Sequence, residues 1–418
     1  MKKITITNAY TWYNKGDAGI LLGTVNALKK IYGEDNIEVN VLSFTPNEDK
    51  KRYCADKTIK NVYSNVLNPH PYNHTRIGKI IAIFKLVIRC LYLSASMKFH
   101  LKGLIKKNKS FESLSSSDII IVCGGGFLGG KKLDSLMHVF QMYVDSKFDA
   151  PVYVMGTSIE PMKSKLVKKI TDNILKKMDH IFAREKITYD YLKSFIDNEK
   201  ITLIPDMAFM IEDVKKEFSV IKDLKKNCSK VYGITVRQWN FPNFDNPSLL
   251  MNNYIKSIKN CMQYEMEFNN CSFVFIPQVI VDYASDEEVA LKIQESLDEK
   301  YKDRFLVLND DLSPVEIKSL ISNCDYFIGT RMHSNIFAIS MCIPTIAIAY
   351  EKKTNGIMHT VGLDDYIIEM SEITTEKLLN KIRKQEENSD NIKKLLDKRI
   401  ISVRMEIIDK MKKVLRED

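Results

Sequence analysis

Two arginines and one histidine sit where a globular core has no use for them. Arg331 and His333 lie two apart in "GTRMHSN", directly after the apolar run "DYFIG". Arg237 ends a second apolar run in "KVYGITVRQW". A guanidinium holds a carboxylate or a phosphate through two parallel hydrogen bonds. Two such groups suit a small ligand that carries both anions, while either one alone also suits a structural ion pair. His333 stands where the helical sequence "SNIFAISM" begins. Either its ring bonds a backbone group, or it serves as a general acid beside a recruited anion, because imidazole titrates near neutrality. Lys353, in "AYEKK" at the end of the following apolar run, is expected to reach the same anions.

A second group of polar residues follows apolar runs in the first half. "YNKGD" supplies Asn14 and Asp17, "GGGFLGG" supplies Gly125 and Gly126, and "GTSIEP" supplies Ser158 and Glu160. Asp17 reads either as part of a helix cap or as a carboxylate that holds or deprotonates a sugar hydroxyl. Glycine runs let backbone N–H groups approach an anion. This one lacks both the dinucleotide fingerprint and the G-K-[ST] of a P-loop, so a tight strand-to-helix turn fits it equally.

Parallel strands that end in polar loops would bring these residues together. "KKITITNAY" reads as a strand, "AGILLGTVNALKKIYG" as a helix stopped by Gly33, and "IEVNVLSF" as a second strand. Strands and helices continue to alternate through "SDIIIVC", "APVYVMGTSIEP", "SKLVKKITDNILKKM" and "HIFAREK". A polar stretch over 213–230 reads as a linker. A second alternating series runs from "KVYGIT" to "PTIAIAY", and "NIKKLLDKRIISVRMEIIDKMKKVL" reads as a long amphipathic helix. The pattern predicts α/β architecture with largely parallel sheets. Its domains are an N-terminal one over 1–212, a C-terminal one over 231–390, and a final helix over 391–418.

With 418 residues, each half is long enough for its own core. The start of the chain lacks the apolar stretch of a secretory signal, which gives a cytoplasmic expectation. Eight scattered cysteines form no C-x-x-C pair, so free thiols are expected rather than disulfides or structural zinc. The net charge of +9 is uneven. No acidic residue lies between Asp56 and Glu112, and that stretch holds eleven lysines and arginines. Within this basic insert, 57–111, the run "IIAIFKLVIRCLYL" is too short and too charged for a membrane span. Residues 76–110 read either as a helix packed on the domain or as one lying in a membrane interface.

Taken together, these blocks resemble the polysaccharide pyruvyl transferases. The resemblance runs from "YNKGDAGIL" through "CGGGFLGG", "GTSIEP", "AREKITYDYL", "PDMAF", "GITVRQW" and "FIPQ" to "IGTRMHSNIFAISMCIPTIAIAYEKK". It implies two facing Rossmann-like α/β domains, similar to the GT-B glycosyltransferase fold. It also implies transfer of the phosphoenolpyruvate carbon skeleton onto two hydroxyls of one sugar, with a pyruvate ketal formed and phosphate released. The family's donor-binding arginine falls on Arg237, its R-x-H pair on Arg331 and His333, and its late lysine on Lys353. His333 and Asp17 are then the catalytic expectations. Asn14, Asp17, Gly125, Gly126, Ser158 and Glu160 lie on the expected acceptor side. No cofactor or metal is implied, phosphoenolpyruvate being a co-substrate, and no nucleic acid is expected as a partner. The family's "GP" and "PDPAF" are here Glu160-Pro161 and "PDMAF", so the acceptor is the part least fixed by the resemblance. A lipid-diphosphate-linked sugar would account for the basic, apolar insert.

Overall fold

The structure is a computed structural model. It describes residues 1–9, 12–43, 46–50, 52–53, 56–60, 84, 88, 91–95, 108–130, 134–280 and 286–416. The chain divides into two α/β units. One comprises Met1–Trp12, Asp17–Met210 and Met405–Asp418, and the other Tyr13–Gly16 and Ile211–Arg404.

The first unit holds β1 (Lys2–Ala9), β2 (Ile37–Ser43), β3 (Lys57–Lys60), β4 (Ile119–Val122), β5 (Gly125–Gly130), β6 (Val152–Met162), β7 (His180–Ala183) and β8 (Ile201–Leu203). Their order is β3-β2-β1-β4-β6-β7-β8, with β5 paired to β6, and every pairing is parallel. The alternation that marks β1 as a strand does not mean a wet face. Thr5 and Thr7 are as buried as Ile4 and Ile6. Helices cover both faces of a parallel sheet, so polar positions must find partners inside. The Thr5 hydroxyl meets Ser113 at 2.9 Å, and Thr7 donates to Asp145 at 2.7 Å.

The glycine run is not the loop that its composition suggests. Residues 125–130 form β5, with Gly125 opposite Thr157 and Leu128 opposite Ile159. Gly125 has φ 152°, and a Cβ there would stand 2.9 Å from the Phe127 ring. Glycine is therefore required for the ring to fold back over the strand.

The second unit holds β9 (Lys230–Thr235), β10 (Cys271–Phe275), β11 (Phe305–Val307), β12 (Tyr326–Gly329), β13 (Thr345–Ala349) and β14 (Ile367–Glu369). All pair in parallel in the order β11-β10-β9-β12-β13-β14. Numbered within its own unit, this is 3-2-1-4-5-6, the doubly wound order. The order reverses between β9 and β12, as it does between β1 and β4 in the first unit. Ligands of such sheets bind beyond the strand ends at that reversal.

Residues 213–230, polar enough to read as a linker, contain the helix Ser219–Asn227. Only Ile221 of that helix is buried, which explains its polar composition. The segment is tied to the second unit by Lys216 N–H, which donates to Ser319 at 2.8 Å. The last helix, Ser389–Leu415, buries Ile392, Leu396, Ile400, Val403, Ile407, Met411 and Leu415 at helical spacing.

Candidate functional site

In the second unit, β9 and β12 deliver Arg237 and Arg331 to the reversal point. Gly329 is opposite Thr235 in the ladder, so the residues that follow leave the sheet side by side. Hydroxyl groups lock this exit. Thr235 Oγ1 accepts from Thr330 N–H at 3.0 Å and meets Ser334 Oγ at 2.9 Å, while Tyr254 and Thr330 hydroxyls are 2.8 Å apart. Arg331 is then the N-cap of the helix Met332–Ser340 and gives no side-chain cap bond. That leaves first-turn N–H groups and the positive end of the helix dipole, which favour an anion.

The two arginines are held in different ways. Arg331 is pinned by Asp286, whose carboxylate is 1% exposed. Nε donates to both carboxylate oxygens, at 2.9 and 3.1 Å, and Nη2 donates to one of them. The structural ion pair is therefore real for Arg331, and Nη1 is the donor edge that remains. Burial pushes the Asp286 carboxyl up, against the pull of Arg331 and Arg237. Arg237, by contrast, makes no ion pair among the described residues. Its guanidinium lies 4.1 Å from the Tyr350 ring centroid and 4.7 Å from that of Trp239. Those two rings pack at 4.7 Å. Burial, and after it the charge of Arg331, lowers the pKa of Arg237. Its Nε also donates to the Gln238 carbonyl at 3.3 Å. A half-buried cation held by aromatic faces and one carbonyl, with no counter-charge, is an anion receptor in form.

His333 sits in the first turn of the Met332–Ser340 helix. Gly16 packs against its ring so closely that a Cβ at Gly16 would overlap Cγ and Nδ1. Residues Tyr13–Gly16 belong to this second unit. They are laced to it by Lys15 N–H to Gln278 O at 2.9 Å, Ile280 N–H to Tyr13 O at 3.0 Å, and a Lys15–Asp311 ion pair. Asn14, expected on the acceptor side, thus lies in the same unit as Arg237, Arg331 and His333. Its Oδ1 accepts from Gly16 N–H at 3.2 Å at the start of the helix Lys15–Tyr32. Lys353 lies in the first turn of the helix Lys352–Val361 and pairs with Glu351 at 2.5 Å.

The first unit gathers Asp17, Gly125, Gly126 and Ser158 around the ends of its own central strands. Asp17 is in the first turn of its helix rather than at the cap. It lies near β5, since a Cβ on Gly125 would stand 3.8 Å from its Oδ1. Burial first, and then the charge of Asp17, raises the pKa of the Cys123 thiol. Ser158 accepts from Arg184 Nε at 2.9 Å and Nη2 at 2.5 Å, and Arg184 Nη1 pairs with Asp206 at 2.8 Å. All three are buried. Gly126 lies over Arg184, whose Nη2 would be 3.8 Å from a Cβ there. Glu160 is exposed and takes no part in this cluster.

Sequence reasoning missed Asp286, Trp239, Tyr350, Arg184 and Asp206 as site residues. Asp286 opens "DEEVALKIQES", where three acids look like a solvated first turn. Only burial separates it from Glu287 and Glu288. Arg184 and Asp206 had a signal, since each ends an apolar run in "HIFAREK" and "ITLIPD".

This arrangement can be set beside known proteins. The family described as polysaccharide pyruvyl transferase matches residues 14–352. The chain belongs to that family. The match takes in Asn14, Asp17, Arg237, Arg331 and His333 and ends one residue short of Lys353. As a member of the polysaccharide pyruvyl transferases the chain is a transferase. A relative, the amylovoran biosynthesis protein AmsJ of Erwinia amylovora, is 21% identical, with 93% of each chain covered. Among solved structures, a putative UDP-N-acetylglucosamine 2-epimerase from Listeria monocytogenes matches with TM-score 0.58 at 11% identity, over 95% of this chain and 91% of that one. The UDP-GlcNAc 2-epimerase of Neisseria meningitidis, bound to UDP-GlcNAc, matches with TM-score 0.56 at 14% identity over the whole of both chains. At such identities these likenesses speak for fold alone. They give this member of the family a GT-B fold of two Rossmann-like units.

Proposed function

We propose that the protein transfers the carbon skeleton of phosphoenolpyruvate to a sugar of a cell-surface polysaccharide or its lipid-linked precursor, forming a pyruvate ketal. The observation that carries this reading is Arg237. It is a cation lying over the faces of Tyr350 and Trp239, with no carboxylate partner among the described residues, beside a second arginine and a helix N-terminus. A ligand with two anionic groups satisfies that arrangement, and phosphoenolpyruvate carries a carboxylate and a phosphate three bonds apart.

In this reading the Nη1 edge of Arg331 and the guanidinium edge of Arg237 take the two anions, with Lys353 as a further cation. His333 delivers a proton to the methylene carbon, so that C2 becomes electrophilic and the carbon-carbon double bond is lost. One sugar hydroxyl adds to C2 and gives up its proton. A second hydroxyl displaces phosphate from the same carbon, closing the ring. Of the two hydroxyl protons, one restores His333 and the other leaves with phosphate. Asp17 is the carboxylate assigned to the acceptor hydroxyls.

The test is mass spectrometry of bacterial cell-surface saccharides and their lipid-linked precursors incubated with the protein and phosphoenolpyruvate. The expected product gains the mass of pyruvate less one water, and an equal amount of phosphate appears. Binding of a nucleotide sugar with no binding of phosphoenolpyruvate would overturn the reading in favour of a glycosyl transfer.

A further inference from the structure

The basic insert of the first unit is not absorbed by the chemistry above. Most of it lies outside the described residues, but Phe84, Ile88 and Leu91–Ala95 are described, and all of them are helical. Within Leu91–Ala95, at about 100° per residue, Leu91 and Tyr92 are neighbours around the helix while Leu93 points to the side away from Leu91. Burial follows this geometry. Leu93 is 1% exposed and belongs to the same core as Phe111, Ile120 and Val154. Phe84, Ile88 and Leu91 are 65%, 50% and 65% exposed, and Tyr92 is exposed as well. A helix normally turns its apolar stripe inward. Here the segment is anchored by one leucine and presents the stripe to the outside.

Charge says what covers that stripe. The stretch from 57 to 111 carries eleven basic residues and no acidic one. Residues 1–210 hold 32 Lys and Arg against 20 Asp and Glu, whereas 211–404 hold 26 against 29. The first unit also exposes a second surface of the same kind on the helix Lys165–Leu175. There Leu166 is 68% and Ile170 41% exposed, among Lys165, Lys169, Lys176 and Lys177. Exposed aliphatic and aromatic side chains set among lysines match a surface that is apolar beneath and anionic on top. A nucleic acid would use the cations and leave the aliphatic stripe in water.

We propose that the first unit docks on an anionic lipid bilayer through the face of Phe84, Ile88, Leu91 and Tyr92. The stripe enters the headgroup–acyl boundary, and the lysines of the unit meet the lipid phosphates. Among the described residues no helix is long and apolar enough to cross a membrane, so the contact lies in the interface plane.

The experiment is co-sedimentation of the full chain with vesicles of phosphatidylglycerol and phosphatidylcholine, and with phosphatidylcholine vesicles alone. Binding to the anionic vesicles is expected, and it should weaken as salt rises. The double variant Phe84→Glu/Leu91→Glu should bind about tenfold or more weakly, because two anchors of the stripe become charged. Lys169→Glu/Lys176→Glu should weaken binding to anionic vesicles with little change on neutral ones. Circular dichroism and phosphoenolpyruvate calorimetry on each variant establish that the fold and the second unit are intact. Equal recovery of wild type and Phe84→Glu/Leu91→Glu with the vesicles would overturn the proposal. So would a self-association in sedimentation velocity that this double variant abolishes while vesicle binding is absent, since the stripe would then bury itself against a second copy. Vesicle binding does not depend on turnover, so its failure and a failure of the pyruvyl-transfer reading are separate results.

Discussion

At the scale of the residue, the two arginines are not equivalent. Arg331 is neutralised by Asp286, and Arg237 is left as a net cation over two adjoining rings. Asp286→Ala is expected to destabilise the fold by about 3 kcal/mol, because a part-buried guanidinium loses its counter-charge. The midpoint of denaturant unfolding measures this. Tyr350→Ala should lower phosphoenolpyruvate affinity about fivefold while Tyr350→Phe leaves it near wild type, since a ring face, not the hydroxyl, holds Arg237. Calorimetry distinguishes the two variants. Gly16→Ala forces the His333 ring aside. It should cost kcat more than donor affinity if His333 moves the proton, and steady-state kinetics beside calorimetry would show the split. The sequence made Arg237, Arg331 and His333 legible because a charge at the end of an apolar run conflicts with burial. Asp286 was illegible because the sequence around it resembles an exposed helix start. Its partner lies 45 positions away.

At the scale of the element, the alternating strand-helix pattern read correctly wherever the apolar run was unbroken, as in "DIIIV", "DYFIG" and "TIAIA". It failed in one instructive place. Glycines that signalled a loop form β5, since a neighbouring strand, not side-chain propensity, decides the pairing. The polar stretch over 213–230 holds a helix that buries only Ile221. The helix Asp134–Asp145 carries a consequence for stability. Asp145 is fully buried, accepts from Thr7 and Gln141, and has a pKa pushed up by burial to about 7. The folded protein keeps a proton that the unfolded chain releases near the ordinary carboxyl pKa of about 4. Stability from this group is thus full below pH 4 and falls as the pH rises to about 7. Asp145→Asn removes that dependence. Its Tm relative to wild type should climb between about pH 4 and 7 and stay level above. Burial of His138 lowers its pKa to about 3, which acts in the opposite direction, but it is common to both proteins and cancels in the difference.

At the scale of the whole molecule, two sheets of the same winding each gather polar side chains beyond the strand ends at the reversal of strand order. The fold by itself does not name a reaction, because structures of this likeness include UDP-GlcNAc 2-epimerases. The side chains at the second reversal are what argue for phosphoenolpyruvate. Titration calorimetry of that donor into the intact chain is the most direct measurement. The account predicts one binding site per chain, lost in Arg237→Ala and in Arg331→Ala and kept in His333→Asn. Binding that survives Arg237→Ala unchanged, or no binding of phosphoenolpyruvate by a folded chain that binds a nucleotide sugar, would contradict it.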